Sequence, residues 1–394
     1  MSTDQPDGAS RLSPSSSSTD MAVGTESEEE LYAAVGELEH LPLRVPGNAT
    51  SPTSSQQSQS SHSRISTRDT NSSGTGETFS FETDMEKYPS SMTSSVRAHV
   101  YEGGLRYHAF RDGRYAFPND EVEQNRDDMK HTMCLILSRG KYFYAPIEER
   151  LQAGAQVLDL GTGTGIWAIE LGDKYPATEI TGLDLSPIQP NYVPENVHFF
   201  IDDIEEEWVD QGDKFDYIHI RHVLHSIRDI KGVLKQAYTH LKPGGYIEIQ
   251  ELEYWAHCDD DSLTPETPYA WRAFLQYLEQ GMRALGSELH AILNIREKLA
   301  EAGFEDIQAV SHKCPLGVWP RDKRLRLCGL FLRTAVMDGL RGFAQRPLAT
   351  GLSWTPLQIE IFLMDVRKAV MDSKFHTYYP FHVVYGRKPL DAPS

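Results

Sequence analysis

The stretch VLDLGTGTGIWAIEL, residues 157–171, runs from an aliphatic strand through alternating glycines into an amphipathic helix. Gly161, Gly163 and Gly165 lie at the strand-to-helix turn, and Asp159 precedes the first of them by two residues. A turn free of side chains lets a ligand approach main-chain amides and the N-terminus of the following helix. A dinucleotide fingerprint requires G-x-G-x-x-G. Counted from Gly161 or Gly163, its last glycine falls at Ile166 or Ala168, and neither fits. The pattern is instead D-x-G-x-G-x-G, which disfavours a nicotinamide oxidoreductase.

Working outward, QVLDLG reads as a strand and GIWAIELGDKY as a helix. EITGLDLS, VHFFIDD and FDYIHIR are further strands, IKGVLKQAYTHL a helix and GYIEIQELE a strand. After Glu253 the pattern turns helical to about Ala302, then returns to a strand at EDIQAVSHKC. It is helical again over roughly 321–373 and closes with the strand FHVVYGRKP. Near-continuous apolar strands alternating with helices indicate an α/β fold, a mostly parallel, doubly wound Rossmann-like sheet covered on both faces. On the N-terminal side, aromatics at strand spacing begin near Ala98, and Asn119 or Asp120 caps a helix that runs to about Leu137, with Gly140 as its stop.

Acids punctuate the strand ends. Asp184 ends the second strand, nineteen residues beyond Gly165, where a carboxylate can accept both hydroxyls of an adenosine ribose. Asp202 and Asp203 end the third strand, within reach of an adenine amino group. Open sheets of this kind hold ligands in the crevice at their carboxyl ends. An acidic crevice is poor for a pyrophosphate and good for a cationic nucleoside. S-adenosyl-L-methionine, with its sulfonium and ammonium groups, meets that requirement.

The blocks FPNDEVEQNRDDMKH, GTGTGIWAIELGDKYP, GLDLSPIQPNYVPENVHFFIDD and LKPGGYIEIQE together resemble class I S-adenosylmethionine-dependent methyltransferases. With PLGVWPRDKRLRLCGL and VVYGRKP they are similar, more narrowly, to the fungal LaeA-like group named for a regulator of secondary metabolism. The likeness covers nearly everything from about residue 100 onward. It implies a seven-stranded methyltransferase sheet with an antiparallel last strand and helical insertions. Within a domain spanning 98–394 it implies a lid (98–150), a cofactor-binding core (151–255) and a helical cap with the C-terminal strands (256–394). Gly161, Gly163 and Gly165 would pack against the methionyl part of the cofactor with Asp159 nearby. Asp184 would bind the ribose, and Asp203, beside Asp202 and Ile204, the adenine.

The helix from residue 120 supplies further candidates. Glu121, Asn125 and Asp128 share one face with Arg126 beside them, so this helix could cover the cofactor. Tyr115 would then lie against the adenosine and Arg126 on the carboxylate. Methyl transfer needs a general base only if the nucleophile is protonated. His222 and His225 follow the fourth strand, where an acceptor belongs, and are the candidate bases. His219, His222 and His225 suggest a metal cluster at first sight, but a strand running into a loop should not bring them together, so no metal is expected. The run RDKRLR (321–326) could be a nuclear signal, but with Leu325 and Leu327 near by it reads as the outer face of a helix. The aromatics Trp271, Phe274, Tyr277, Trp319, Phe331 and Trp354 are read as roof or core.

Composition sets the outer limits. A formal net charge of −19 in 394 residues argues against direct nucleic-acid binding through phosphates. Four scattered cysteines without a CxxC pair suit reduced thiols, and no run approaches the ~20 apolar residues of a membrane span. The expected localisation is cytoplasmic or nuclear. Residues 1–92 are Ser-rich and acidic, with fourteen Asp and Glu against five Lys and Arg, and read as a disordered tail. Within it ESEEELYAAVGELEHL (26–41) places Leu31, Ala34, Val35 and Leu38 on one helical face, a possible docking segment for protein partners. Two functions remain open: a methyltransferase acting on oxygen or nitrogen of a small-molecule acceptor in secondary metabolism, and a nuclear regulator acting through protein partners.

Overall fold

The structure, a computed structural model, describes residues 98–209 and 212–392. The proposed tail and its segment 26–41 lie outside the described residues. A short hairpin, β1 (His99–Glu102) and β2 (Leu105–His108), turns on Gly103 and Gly104, both at positive φ. A connection of turns then leads to α1 (Glu121–Leu137), whose N-cap Asp120 accepts a hydrogen bond from the Glu123 amide. The short α2 (Glu148–Ala153) ends at left-handed Gly154 and delivers the chain to the sheet.

The sheet comprises β3 (Gln156–Leu160), β4 (Glu179–Asp184), β5 (Val197–Ile201), β6 (Phe215–Arg221), β7 (Leu241–Leu252), β8 (Glu305–Pro315) and β9 (Tyr378–Arg387). Their spatial order is β5-β4-β3-β6-β7-β9-β8. Only β9 runs against its neighbours, inserted between β7 and β8. The expected seven strands and reversed last strand are therefore present. The order reverses beside β3, and Asp159 on β3 stands level with Gly182 on β4 and His219 on β6. That register places the three strand ends together at the switch point, where open α/β sheets receive ligands.

Helices α3 (Ile166–Lys174), α4 (Ile230–His240) and α6 (Ile295–Glu301) cover the sheet. On α3, Trp167, Ala168 and Leu171 are buried against Val157, Ile180 and Val197, while Val233, Leu234 and Ala237 of α4 join Ile218, Ile220 and Ile247. The cap is α5 (Ala270–Ala284), the long α7 (Lys323–Ala344), a π-helical turn (Gln345–Gly351) and α8 (Pro356–Met371). Its aromatics are core. Trp271, Phe274 and Trp319 are buried, and Tyr277, Phe331 and Trp354 pack against the same cluster.

One cap expectation holds for only part of its run. Within 321–326 Arg321 and Lys323 are exposed, whereas Arg326 is 2% exposed and Leu325 and Leu327 are buried on α7. Alternating leucines pull this turn inward, and Arg324 donates to the Leu137 carbonyl at 3.0 Å. Helix α1 packs along α7, and the absence of side chains at Gly339 and Gly342 admits Arg126 and Pro118 of the opposite wall. Among the described residues no helix is long and apolar enough to cross a membrane.

Candidate active site

A cleft of about 1030 Å³, counted to its open mouth, lies over the carboxyl ends of β3, β4 and β6. Its floor is the Gly161–Thr164 turn with Asp159 and His219, and its far end is Asp184, Ser186, Asp202 and Ile204. The wall is α1, presenting Glu123, Asp127, Lys130 and His131, with Tyr115 and Asn119 beside it and Arg221, His222 and Val223 at the β6 end.

The three glycines divide the work. Gly161 (φ +72°) and Gly163 (φ +60°) line the cleft. A Cβ on Gly161 would strike Val223 at 2.9 Å, whereas one on Gly163 would point into space, meeting Asp127 Oδ2 only at 3.6 Å. Gly165 does not line the cleft. A Cβ there would sit 2.3 Å from Phe199, so its bare backbone serves helix-to-strand packing rather than the ligand. That corrects the expectation that all three face the cofactor.

Asp184 accepts from the Gly163 amide at 2.8 Å and from the Ser186 amide at 2.8 Å. Two carboxylate oxygens offer about four acceptor sites, so capacity remains for two further donors. Burial pushes the Asp184 carboxyl up to about 6, and its neighbours Asp127 and Asp159 add to the shift. Asp159 is buried and bound by Thr162 Oγ1 at 2.6 Å and His219 Nδ1 at 2.8 Å.

Of the next acid pair, Asp202 and Ile204 line the cleft and Asp203 does not. Asp203 is 4% exposed and ion-paired with Arg114 Nε at 3.0 Å, so the adenine role expected of it cannot be its own. Both acids follow the end of β5, and with Asp203 held by Arg114 it is Asp202 that lines the cleft.

Helix α1 corrects a second expectation. Arg126 is buried in an ion pair with Glu123, and its guanidinium lies over the Phe343 ring, 4.6 Å from the centroid. It faces α7, away from the cleft. The inner face holds Glu123, Asp127, Lys130 and His131, at i, i+4, i+7 and i+8; of the expected Glu121–Asn125–Asp128 face, Asp128 reaches the glycine turn, where it accepts from Thr164 Oγ1 at 2.8 Å. Helical spacing was a usable signal, but it does not say which face turns inward. Burial pushes Asp127 the other way, yet Lys130 and Arg126 hold its carboxyl below the ordinary value.

The three histidines separate as well. His219 turns to Asp159, whereas His222 and His225 converge on Glu251, their Nδ1 atoms 3.4 and 3.2 Å from its two oxygens. That convergence was not expected, because nothing local in sequence points to Glu251 on β7. His222 sits at φ +57° on the cleft wall with Nε2 3.3 Å from Cys134 Sγ. Burial lowers its imidazole to about 4, assisted by Lys130 and Arg221. His225 does not line the cleft; it packs between Phe117 and Tyr254 and cannot touch a ligand there. Among the described residues no group of three or more His, Cys, Asp or Glu side chains is placed to hold a metal ion.

Five carboxylates against Lys130 and Arg221 line the cleft, and Asp184 retains lone pairs for two donors. Both features fit a cationic nucleoside whose ribose donates two hydroxyls. The reversed strand, the switch-point cleft and this acidity define an enzyme that works with a nucleoside cofactor. A family described as a methyltransferase domain matches residues 128–309. Methyltransferase pytC of Aspergillus terreus is 37% identical over 307 residues, covering 78% of this chain and 93% of that protein. Secondary metabolism regulator LAE1 of Cochliobolus heterostrophus is 34% identical, covering 73% of this chain and 94% of its own. Protein-methionine methyltransferase laeA of Emericella nidulans is 32% identical, covering 73% and 76%. The chain belongs to the S-adenosylmethionine-dependent methyltransferases, in the group that contains pytC and LaeA. Its methyl donor is S-adenosyl-L-methionine.

Proposed function

We propose that the protein methylates an oxygen or nitrogen atom of a small-molecule acceptor of secondary metabolism, in the cytoplasm or nucleus. The observation that carries this reading is the placement of His222, a neutral imidazole on the cleft wall at the β6 end, where an oxygen or nitrogen acceptor would approach the methyl group. The extensive match to pytC supports the same reading.

S-adenosylmethionine supplies a methyl carbon already activated by positive sulfur. The protein's task is to align the acceptor with it and to exclude water. Asp184 binds the ribose, Asp202 and Ile204 border the adenine, Tyr115 covers the nucleoside, and Gly161 and Gly163 admit the methionyl chain. His222 is the base for a protonated acceptor. Its neutral ring takes the proton at Nε2, in place of the weak Cys134 thiol donor, and Glu251 steadies the charge.

A second reading, a regulator acting through protein partners, is favoured by the name of the LAE1 relative and by the acidic, Ser-rich residues 1–92. Incubation with labelled methyl donor and a panel of phenols, amines and fungal protein extract separates the two. Label on small molecules that survives deletion of residues 1–92, and falls at least tenfold in His222→Gln, is expected. Label confined to protein would replace the first reading with the second.

A further inference from the structure

His219 and Arg221 are two residues apart on β6, so both side chains leave the same face of the sheet, and both line the cleft. His219 is 1% exposed and stacked on Trp167, with ring centroids 3.8 Å apart. Its Nδ1 lies 2.8 Å from Asp159 Oδ1, so the carboxylate fixes the Nδ1–H tautomer and leaves a lone pair on Nε2. That Nε2 is buried and has no hydrogen-bond partner. A buried acceptor left unpaired is costly unless a ligand supplies the donor.

Arg221 has the complementary need. Its Nη2 donates to His131 Nδ1 at 2.8 Å, and His131 in turn donates from Nε2 to Glu170 Oε2 at 2.7 Å. Tyr142 donates to the same Glu170 oxygen at 3.1 Å. A neutral imidazole therefore aims the guanidinium, and among the described residues no carboxylate is ion-paired with it. Lys130, the other cation of the cleft, is already paired with Asp127 at 2.7 Å.

We propose that His219 and Arg221 form a clamp for an α-amino-acid zwitterion, the methionyl end of the methyl donor. The His219 lone pair accepts from the ammonium, with Asp159 behind it supplying negative charge. The Arg221 fork takes the carboxylate, the role that Arg126 cannot fill. Glu170, through His131, is a positioning residue for that fork. The clamp rests on the methyltransferase reading and accounts for the part of the donor that Asp184 does not reach.

Calorimetric titration of the full chain with S-adenosylmethionine and with 5′-methylthioadenosine tests the clamp. The second ligand keeps nucleoside and sulfur but lacks the amino-acid end. Arg221→Met and His219→Leu are each expected to weaken S-adenosylmethionine roughly 10- to 100-fold and to leave methylthioadenosine within about twofold. His219→Gln, which keeps an acceptor, is expected to recover part of the loss. Equal weakening of both ligands, or of neither, overturns the clamp. Should the buried substitutions fail to fold, decarboxylated S-adenosylmethionine tests the unaltered protein. It is expected to bind roughly 10- to 100-fold more weakly than the parent, and equal affinity overturns the Arg221 arm. Binding of both nucleosides without discrimination refutes the clamp alone. Binding of neither refutes the methyltransferase reading and the clamp with it.

Discussion

Acids stand at the strand ends on both sides of the switch point, but the two sides treat them differently. On β7, Glu248 receives the Tyr144 and Ala145 amides, each at 2.8 Å, and Gln250 Nε2 at 2.7 Å. Glu251 receives His222, His225, the Leu224 amide and the Tyr254 hydroxyl, and Glu253 after it binds His257 and His382. At the ends of β4 and β5, Asp184 has two backbone donors and, among the described residues, Asp202 receives the Asp203 amide alone. The β7 acids are satisfied by the protein itself, whereas Asp184 and Asp202 keep capacity for a ligand. A carboxylate's position marks a candidate; its unused lone pairs mark a site.

That contrast can be broken most directly at its two centres. Asp184→Asn removes the charge and the acceptor pair for the ribose, at about 1.5–3 kcal/mol for each of two charge-assisted hydrogen bonds. S-adenosylmethionine affinity measured by calorimetry is expected to fall by roughly 100-fold or more, with little change in thermal unfolding. Unchanged affinity with a lower melting temperature would put Asp184 with the β7 acids. Glu251→Gln is expected to do the reverse. It strips the charge from a buried carboxylate that serves two imidazoles, costing about 3–4 kcal/mol in urea unfolding, while the folded protein keeps its affinity for the cofactor.

The glycine loop sharpens the same division on a smaller scale. Gly165→Ala drives a Cβ into Phe199 and strains a φ of +80°, so a loss of about 2–3 kcal/mol of stability is expected. Gly163→Ala meets no such contact and should lose only about 1–2 kcal/mol, the left-handed backbone term, in the same denaturation experiment.

The smallest effect is one of pH. The Asp184 carboxyl is raised to about 6, so in the free protein it protonates as pH falls through that value. A raised acid favours the fold at low pH and gives up that contribution as pH rises through 6. Cofactor binding needs the ionised form and changes in the opposite sense. Affinity is expected to weaken about fourfold from pH 7 to 5.5, and this step is expected to vanish in Asp184→Asn.

Much of the fold was legible because its signals are local. Aliphatic runs, helix caps and turn glycines marked the seven strands and the helices between them, and the resemblance supplied the reversed strand. Gly161, Gly163, Asp159, Asp184, Asp202, Ile204, Tyr115 and His222 come together in the cleft. The misses share a cause. Chemistry and proximity in sequence point to Asp203 and Arg126, but each has a partner distant in sequence, Arg114 and Phe343, that turns it away. His219 carries no local sign of its role, because its partnership with Asp159 exists only across paired strands. Glu251 meets His222 only once β7 lies beside β6.

Helix α1 has one side in the cleft and the other against α7, where Arg126 rests on Phe343 and fills the space left by Gly339. It therefore cannot swing as an independent gate. Any shift large enough to widen the donor's exit must slide along the cap as well, so departure of the spent nucleoside and rearrangement of the cap are mechanically one event.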